Sequence, residues 1–190
     1  EGRRRPVIAT CRASWEGGEF RGSEDERRQI LESAMNAGAE FVDVEAAAGF
    51  APDIMRLRRG RGIVLSAHYF GDVPPDLAQR AAAMHSAGAE VVKIAVEART
   101  LGDVLPLFAL ADVRRDAGDS GHVLIAMGNA GTASRILAAR LGNRWTYAGD
   151  GVAPGQFSVT RLLREFNFRR IASGSAVYGV VGNPVSHSKS

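Results

Sequence analysis

The sequence predicts an α/β protein of the (β/α)8 TIM-barrel family, and three observations lead there. Six short apolar segments of strand character recur along the chain, helical patterns separate most of them, and none is followed by the glycine fingerprint of a doubly wound dinucleotide-binding sheet. Alternating strand and helix calls for parallel strands with helical crossovers. A closed barrel needs eight strands, so a count of six falls two short.

The first strand is PVIATCR from Pro6. A helix follows from Ser23, where Glu26 three residues on completes a capping box; Ile30, Leu31, Ala34 and Ala37 form its apolar stripe and Gly38 stops it. EFVDVEAA from Glu40 and GIVLSAHYF from Gly62 are the next strands. A second helix runs from the Pro74-Pro75 pair to Gly88 with Leu77, Ala81 and Met84 inward, and VVKIAVEA from Val91 follows it. A third helix from Asp103 to Arg115 precedes the strand HVLIAMG from His122. A fourth, Thr132 to Leu141, precedes RWTYAGD from Arg144, and a fifth covers Ser158 to Phe166. The joints AMNAGAEFVDVEAA from Ala34 and AMHSAGAEVVKIAVEA from Ala83 share Ala-Gly-Ala-Glu, as repeated βα units would.

At 190 residues, 45% hydrophobic and 24% charged, the chain has the makings of one sizeable core. No run approaches the ~18 apolar residues of a spanning helix and no charged-then-apolar leader opens the chain, so neither membrane insertion nor secretion is expected and the default setting is cytoplasmic. The single cysteine, Cys11, has no partner for a disulfide or a metal site and reads as a small strand residue. A formal charge of +3, with arginines spread along the chain, does not suggest nucleic-acid binding; the run Arg56 to Arg61 reads as a solvated face. The chain opens on Glu1 without methionine and closes on HSKS, as a piece of a longer protein would. A barrel unit over residues 1–170, a small polar linker at 171–176 and the start of a new unit at 177–190 are expected.

Only Lys93 and Lys189 among the 24 basic residues are lysines. Arginine keeps its proton in proteins and cannot act as an amine nucleophile, so a lone lysine in the apolar segment VVKIA invites a chemical explanation. In a barrel, polar side chains at the carboxyl ends of strands face the active site. Arg12, the pair Asp43 and Glu45 (on one face by the period of two), His68 and Lys93 lie there, and Arg135 follows the loop MGNAGTAS. An uncharged lysine adds to a ketone; imidazole, titrating near neutrality, suits proton removal and return. A carboxylate such as Glu45 suits orienting the ring, and the planar forks of Arg12 and Arg135 suit an anionic substrate. Imine-mediated elimination and aldol cleavage of an anionic keto-substrate both fit this set.

The ordered segments IATCRASWEGG (Ile8 to Gly18), VDVE (Val42 to Glu45), SAHYF (Ser66 to Phe70), VVKIA (Val91 to Ala95), MGNAGTASR (Met127 to Arg135) and APGQ (Ala153 to Gln156) resemble type I 3-dehydroquinate dehydratase. The resemblance implies that Lys93 forms the imine, that His68 is the general acid-base paired with Glu45, and that Arg12, Arg135 and Gln156 contact substrate. It further implies conversion of 3-dehydroquinate to 3-dehydroshikimate without metal or organic cofactor, and a homodimer is compatible with it. DGVAPGQF from Asp150 resembles the family's lid, which would keep water from the imine. Val152 stands where the family commonly has a substrate-touching serine, and the family's first two strands, the second with a Glu-x-Arg signature, have no counterpart here. The tail YGVVGNPVSHSKS resembles the opening strand and substrate loop of shikimate dehydrogenase, whose two motif serines are matched by Ser188 and Ser190. A dehydratase fused to that dehydrogenase is implied, with NADP expected only for the dehydrogenase portion that this chain lacks. Two competing readings stay open: another Schiff-base barrel such as a class I aldolase, and a non-catalytic barrel remnant supporting a fused dehydrogenase.

Overall fold

A computed structural model describes residues 5–117, 121–150 and 155–180. Its strands are β1 (Ile8–Thr10), β2 (Phe41–Glu45), β3 (Ile63–Tyr69), β4 (Val91–Glu97) and β5 (Gly121–Met127). They form one sheet in chain order, β1-β2-β3-β4-β5, with every neighbouring pair parallel. Helices α1 (Glu24–Asn36), α2 (Ala51–Arg58), α3 (Leu77–Ser86) and α4 (Leu105–Ala117) make the crossovers; α5 (Thr132–Ile136) and α6 (Val159–Arg164) follow β5. Strands β2 to β5 are nearly continuous apolar runs because a parallel sheet is covered on both faces.

The period of two divides those runs. Val42, Val44, Ile63, Leu65, Ala67, Val92, Ile94, Val96, Leu124 and Ala126 point outward and pack with Leu31 and Met35 of α1, Ile54 of α2, Leu77, Ala81 and Met84 of α3, and Leu107 and Leu110 of α4. The alternate residues Val64, Val91, Ala95, Val123 and Ile125 form a second cluster on the inner face, joined by Phe41, Trp145 and Tyr147.

The capping box at α1 is present, with Ser23 accepting from the Glu26 amide and Glu26 accepting in return. Its stripe differs from expectation: Arg27, Leu31 and Met35 are buried, while Ile30 and Ala37 are exposed. The i, i+4 row through Arg27 faces β2 because Arg27 carries a salt bridge inward. In α3 the expected Leu77, Ala81 and Met84 are the buried row. Both Ala-Gly-Ala-Glu joints are built alike. Gly38 and Gly88 each take φ 84°, a left-handed value that ends the helix. The glutamate after each joint caps a strand entry, Glu40 accepting from Val7 N at 2.7 Å and Glu90 from Gly62 N at 2.9 Å.

Two expectations need correction. The segment RWTYAGD is not a strand; the residue before it, Asn143, makes an isolated bridge to His122. The Asn143 amide occupies both backbone groups of Leu124, accepting from its N–H at 2.8 Å and donating to its carbonyl at 2.9 Å, so the edge of β5 has no ladder positions left there. The fourth helix ends at Ile136 rather than Leu141. Helix α2 is an element the sequence patterning does not mark: Ile54 is fully buried, while in the arginine-rich run Arg56, Arg59 and Arg61 are exposed as a solvated face requires and Arg58 donates to the carbonyls of Met35 and Ala39.

Residues 171–180 carry no strand or helix, and Arg140 holds them through the carbonyl of Ser173 at 2.6 Å. Val177, Tyr178 and Val180 are exposed. Ser188 and Ser190 of the expected second unit lie outside the described residues, as does Val152 of the expected lid. Among the described residues no helix is long and apolar enough to cross a membrane.

Candidate active site

Strand parity and register assemble the site. Asp43 and Glu45 on β2, Ser66 and His68 on β3 and Lys93 on β4 all occupy inward positions. Glu45 pairs in register with Ser66 and Ser66 with Lys93, so those three share one layer, while His68, opposite Ala95, lies one layer nearer the carboxyl end. Asp43 stands opposite Val64 one layer beneath Lys93, and of the inner apolar cluster Val64 and Val91 lie at that lower level while Val123 stands opposite Lys93.

Lys93 is buried, at 8% exposure. Its Nζ donates to Oδ2 of Asp43 at 3.1 Å. The other oxygen of Asp43 accepts from Nη2 of Arg12 and from Oγ of Ser66, each at 2.6 Å. Burial alone would raise the Asp43 pKa, but the charges of Lys93 and Arg12 and these hydrogen bonds outweigh it and bring the carboxyl from 3.8 down to about 2. Asp43 is therefore a fixed anion beside the lysine.

Glu45 is fully buried and faces cations rather than imidazole. Its Oε1 accepts from Nη1 of Arg12 and from Ala13 N, both at 2.9 Å, and its Oε2 is bonded by Arg27, which also grips Glu24. The expected pairing of Glu45 with His68 is thus corrected. The His68 ring meets Glu16, with Nδ1 2.7 Å from Oε2, and the same oxygen accepts from the His68 backbone amide at 3.2 Å. Burial lowers the His68 pKa and the charges of Lys93 and Arg12 push the same way; Glu16 opposes them without overturning the direction. The imidazole is accordingly held in its neutral form near neutrality.

Glu16 is the functional side chain that sequence reasoning missed, although the segment quoted for the resemblance contains it. The two glycines behind it explain its placement. Gly17 takes φ 79° and a Cβ there would lie 2.6 Å from the Phe70 ring; a Cβ on Gly18 would lie 2.0 Å from the Arg12 carbonyl. The turn Ser14–Glu16 therefore folds tightly against the chain just past β1 and swings Glu16 over β3, where it is 7% exposed. Arg12 lies within 3.5 Å of the same carboxylate, four residues earlier.

Arg135, in α5, is buried at 4% exposure, and its Nε has no hydrogen-bond partner among the described residues. Burial lowers its pKa, as expected of a cation lacking a close counter-anion. Gln156 is half-buried. It follows Gly155, which packs so closely on the Gly128 carbonyl that a Cβ would come within 2.3 Å. Gly149 N donates to the Phe157 carbonyl at 3.0 Å, so the two described limbs of the expected lid are tied together beside the β5 exit loop. Tyr147 places its ring over Lys93, with Nζ 4.9 Å from the centroid. Among the described residues no group of three His, Cys, Asp or Glu side chains is placed to hold a metal ion.

The sequence profile of the type I 3-dehydroquinase family matches residues 2–173. The chain belongs to that family. The type I 3-dehydroquinases are TIM barrels, and the five-strand parallel sheet is a part of that barrel. The bifunctional 3-dehydroquinate dehydratase/shikimate dehydrogenase of Arabidopsis thaliana is 37% identical over 194 aligned residues, covering 97% of this chain and 32% of that protein. The 3-dehydroquinate dehydratase of Dehalococcoides mccartyi is 35% identical over 166 residues, covering 84% of this chain and 73% of the relative. Among solved structures, the 3-dehydroquinate dehydratase of Geobacillus kaustophilus aligns with a TM-score of 0.76 at 28% identity, over 83% of this chain and 65% of that one. The dehydroquinate dehydratase and shikimate dehydrogenase of S. pombe aligns at 0.68 and 28% identity, over 84% of this chain and 32% of that one. The chain thus spans about a third of the bifunctional relatives.

Proposed function

We propose that the chain carries the dehydratase centre that removes water from 3-dehydroquinate to give 3-dehydroshikimate through an imine on Lys93. The observation that carries this reading is the placement of Asp43, Lys93 and His68 in three successive layers of one sheet face, with Glu16 on the His68 ring. Lys93, having given up a proton, attacks the substrate ketone; the carbonyl oxygen takes up that proton and a second one from the nitrogen and leaves as water, and an iminium remains. The electron-poor iminium acidifies the adjacent carbon, and neutral His68 removes that proton. The imidazolium then passes a proton to the departing hydroxyl, and hydrolysis of the product imine returns Lys93. Glu16, bonded to Nδ1, orients the ring and stabilises its charged form, the part that Glu45 was expected to play.

Arg12 is taken up by Asp43, Glu45 and Ser66, so its part is to hold the carboxylates in place. Arg135 is the cation suited to the substrate carboxylate, with Gln156 supplying a polar contact from the lid. In this reading no metal or organic cofactor enters, the setting is cytoplasmic, and the chain continues into a shikimate dehydrogenase that uses NADP and holds shikimate with Ser188 and Ser190.

Borohydride reduction in the presence of 3-dehydroquinate, followed by peptide mass mapping, tests the reading. An adduct on Lys93, distinguished from Lys189 by its peptide, is the expected result. A folded chain that forms no adduct, or forms it equally well after Lys93→Met, returns the non-catalytic remnant as the better account.

A further inference from the structure

Tyr147 has no part in the chemistry proposed above, yet its ring lies against the reacting nitrogen. Nζ of Lys93 stands 4.9 Å from the ring centroid and 3.1 Å from Oδ2 of Asp43. A cation within about 6 Å of an aromatic centroid is attracted by the ring face, most strongly where water is kept away. Water is kept away here: the Lys93 side chain is 11% exposed and that of Asp43 is 1% exposed. The ring is held in place by its neighbours. Thr146 donates to the Arg135 carbonyl at 3.1 Å, and Trp145 meets the edge of Phe41 with centroids 5.5 Å apart. The Tyr147 hydroxyl, pushed up to about 12 by burial, keeps its proton near neutrality and takes no place as a competing base.

We infer that Tyr147 is a positioning residue for the imine: its ring face, with Asp43, holds Nζ in its cationic forms, the ammonium before reaction and the iminium after it. The inference rests on the imine reading of Lys93 and adds a residue to it. In the step concerned, the ammonium gives up a proton, the nitrogen pair forms the C–N bond as the carbonyl π pair moves to oxygen, the oxygen takes up that proton and a second one from nitrogen and departs as water, and the nitrogen is left positive and planar. The neutral amine and carbinolamine gain nothing from a ring face; the iminium does. The ring favours the resting ammonium and the iminium alike, so Tyr147 raises the ratio of iminium to carbinolamine on the bound substrate.

Two readouts test this. Because Lys93 and Lys189 are the only lysines, labelling with [ε-13C]lysine gives two signals. The Lys93 signal should be displaced by the ring current in the parent and in Tyr147→Phe, and lose that displacement in Tyr147→Leu. At saturating 3-dehydroquinate, where carbinolamine and iminium share the bound substrate, the borohydride-trapped fraction should fall roughly tenfold in Tyr147→Leu and return to within roughly threefold of the parent in Tyr147→Phe. A folded Tyr147→Leu chain that traps like the parent overturns the inference. If that variant does not fold, Tyr147→Met, which fills the space without a π face, takes its place with the same expectation. If the parent itself traps nothing, the dehydratase reading fails, and the lysine signal alone decides whether the ring holds the cation.

Discussion

Substituting Glu16 by glutamine and, separately, Glu45 by glutamine distinguishes two accounts of how His68 is controlled. Glu16 lies 2.7 Å from Nδ1 of His68, and both side chains are largely buried, at 7% and 11% exposure. A hydrogen bond to a charged group in such surroundings contributes about 1.5–3 kcal/mol, and removing it from the step in which His68 becomes charged lowers turnover roughly tenfold to a hundredfold. The carboxylate favours imidazolium, so Glu16→Gln also moves the His68 titration to lower pH. Glu45→Gln does something else. It leaves Arg27, 1% exposed, without its buried counter-charge, a loss of about 3–5 kcal/mol in stability, with little movement of His68. The assay is twofold: ring-proton NMR titration of His68, one of four histidines, and urea unfolding of each variant. A His68 titration that follows Glu45→Gln and ignores Glu16→Gln would refute the pairing.

Acid should destabilise the fold in two stages. Asp43 is more acidic folded than unfolded, so its contribution is complete above pH 3.8 and disappears as pH falls through about 2; the gap amounts to about 2 kcal/mol, which urea midpoints from pH 5 to 2 should register and Asp43→Asn should abolish. His68 is also depressed, so stability should begin to decline as pH falls below its ordinary 6.5, and His68→Gln should flatten that part of the curve. Gly18→Ala forces a methyl against the Arg12 carbonyl and should cost about 1–3 kcal/mol in thermal unfolding while loosening Glu16, seen as a downward move of the His68 titration. Ile54→Ala, in a helix that sequence patterning did not suggest, should cost about 2–5 kcal/mol because that side chain is wholly buried; an unchanged melting temperature would contradict the packing of α2.

What was legible in the sequence follows the range over which each interaction acts. The segments around Val44, Leu65, Ile94 and Leu124 are recognisable because a strand buried on both faces must be an apolar run. The inward row of α3 is recognisable because a helix repeats its buried face every three or four residues. Lys93 stands out because its neighbours are apolar and lysine is otherwise nearly unused. The partner of His68 was not legible, because Glu16 is 52 residues away and reaches it only through a tight turn set by two glycines. Glu45, on the adjacent strand and of the right charge, was the plausible local choice. Its actual partners, Arg12 and Arg27, come from the segment after β1 and from α1. The failed strand at Arg144 has a similar cause, since its apolar alternation says nothing about an asparagine side chain already occupying the neighbouring strand's edge.

The alternation of the strands has a consequence for re-engineering the molecule. Positions 43, 45, 66, 68 and 93 lie on the inner face that carries the proposed reacting groups, while 42, 44, 63, 65, 67, 92 and 94 address the helices, and the two sets interleave without sharing a residue. A combinatorial library confined to the first set would explore new reactivity while leaving the helix-facing hydrocarbon surface untouched. A library confined to the second would adjust heat tolerance while leaving the reacting groups in place. Changes drawn from opposite sides of the same strand should combine nearly additively wherever the two side chains have no common neighbour.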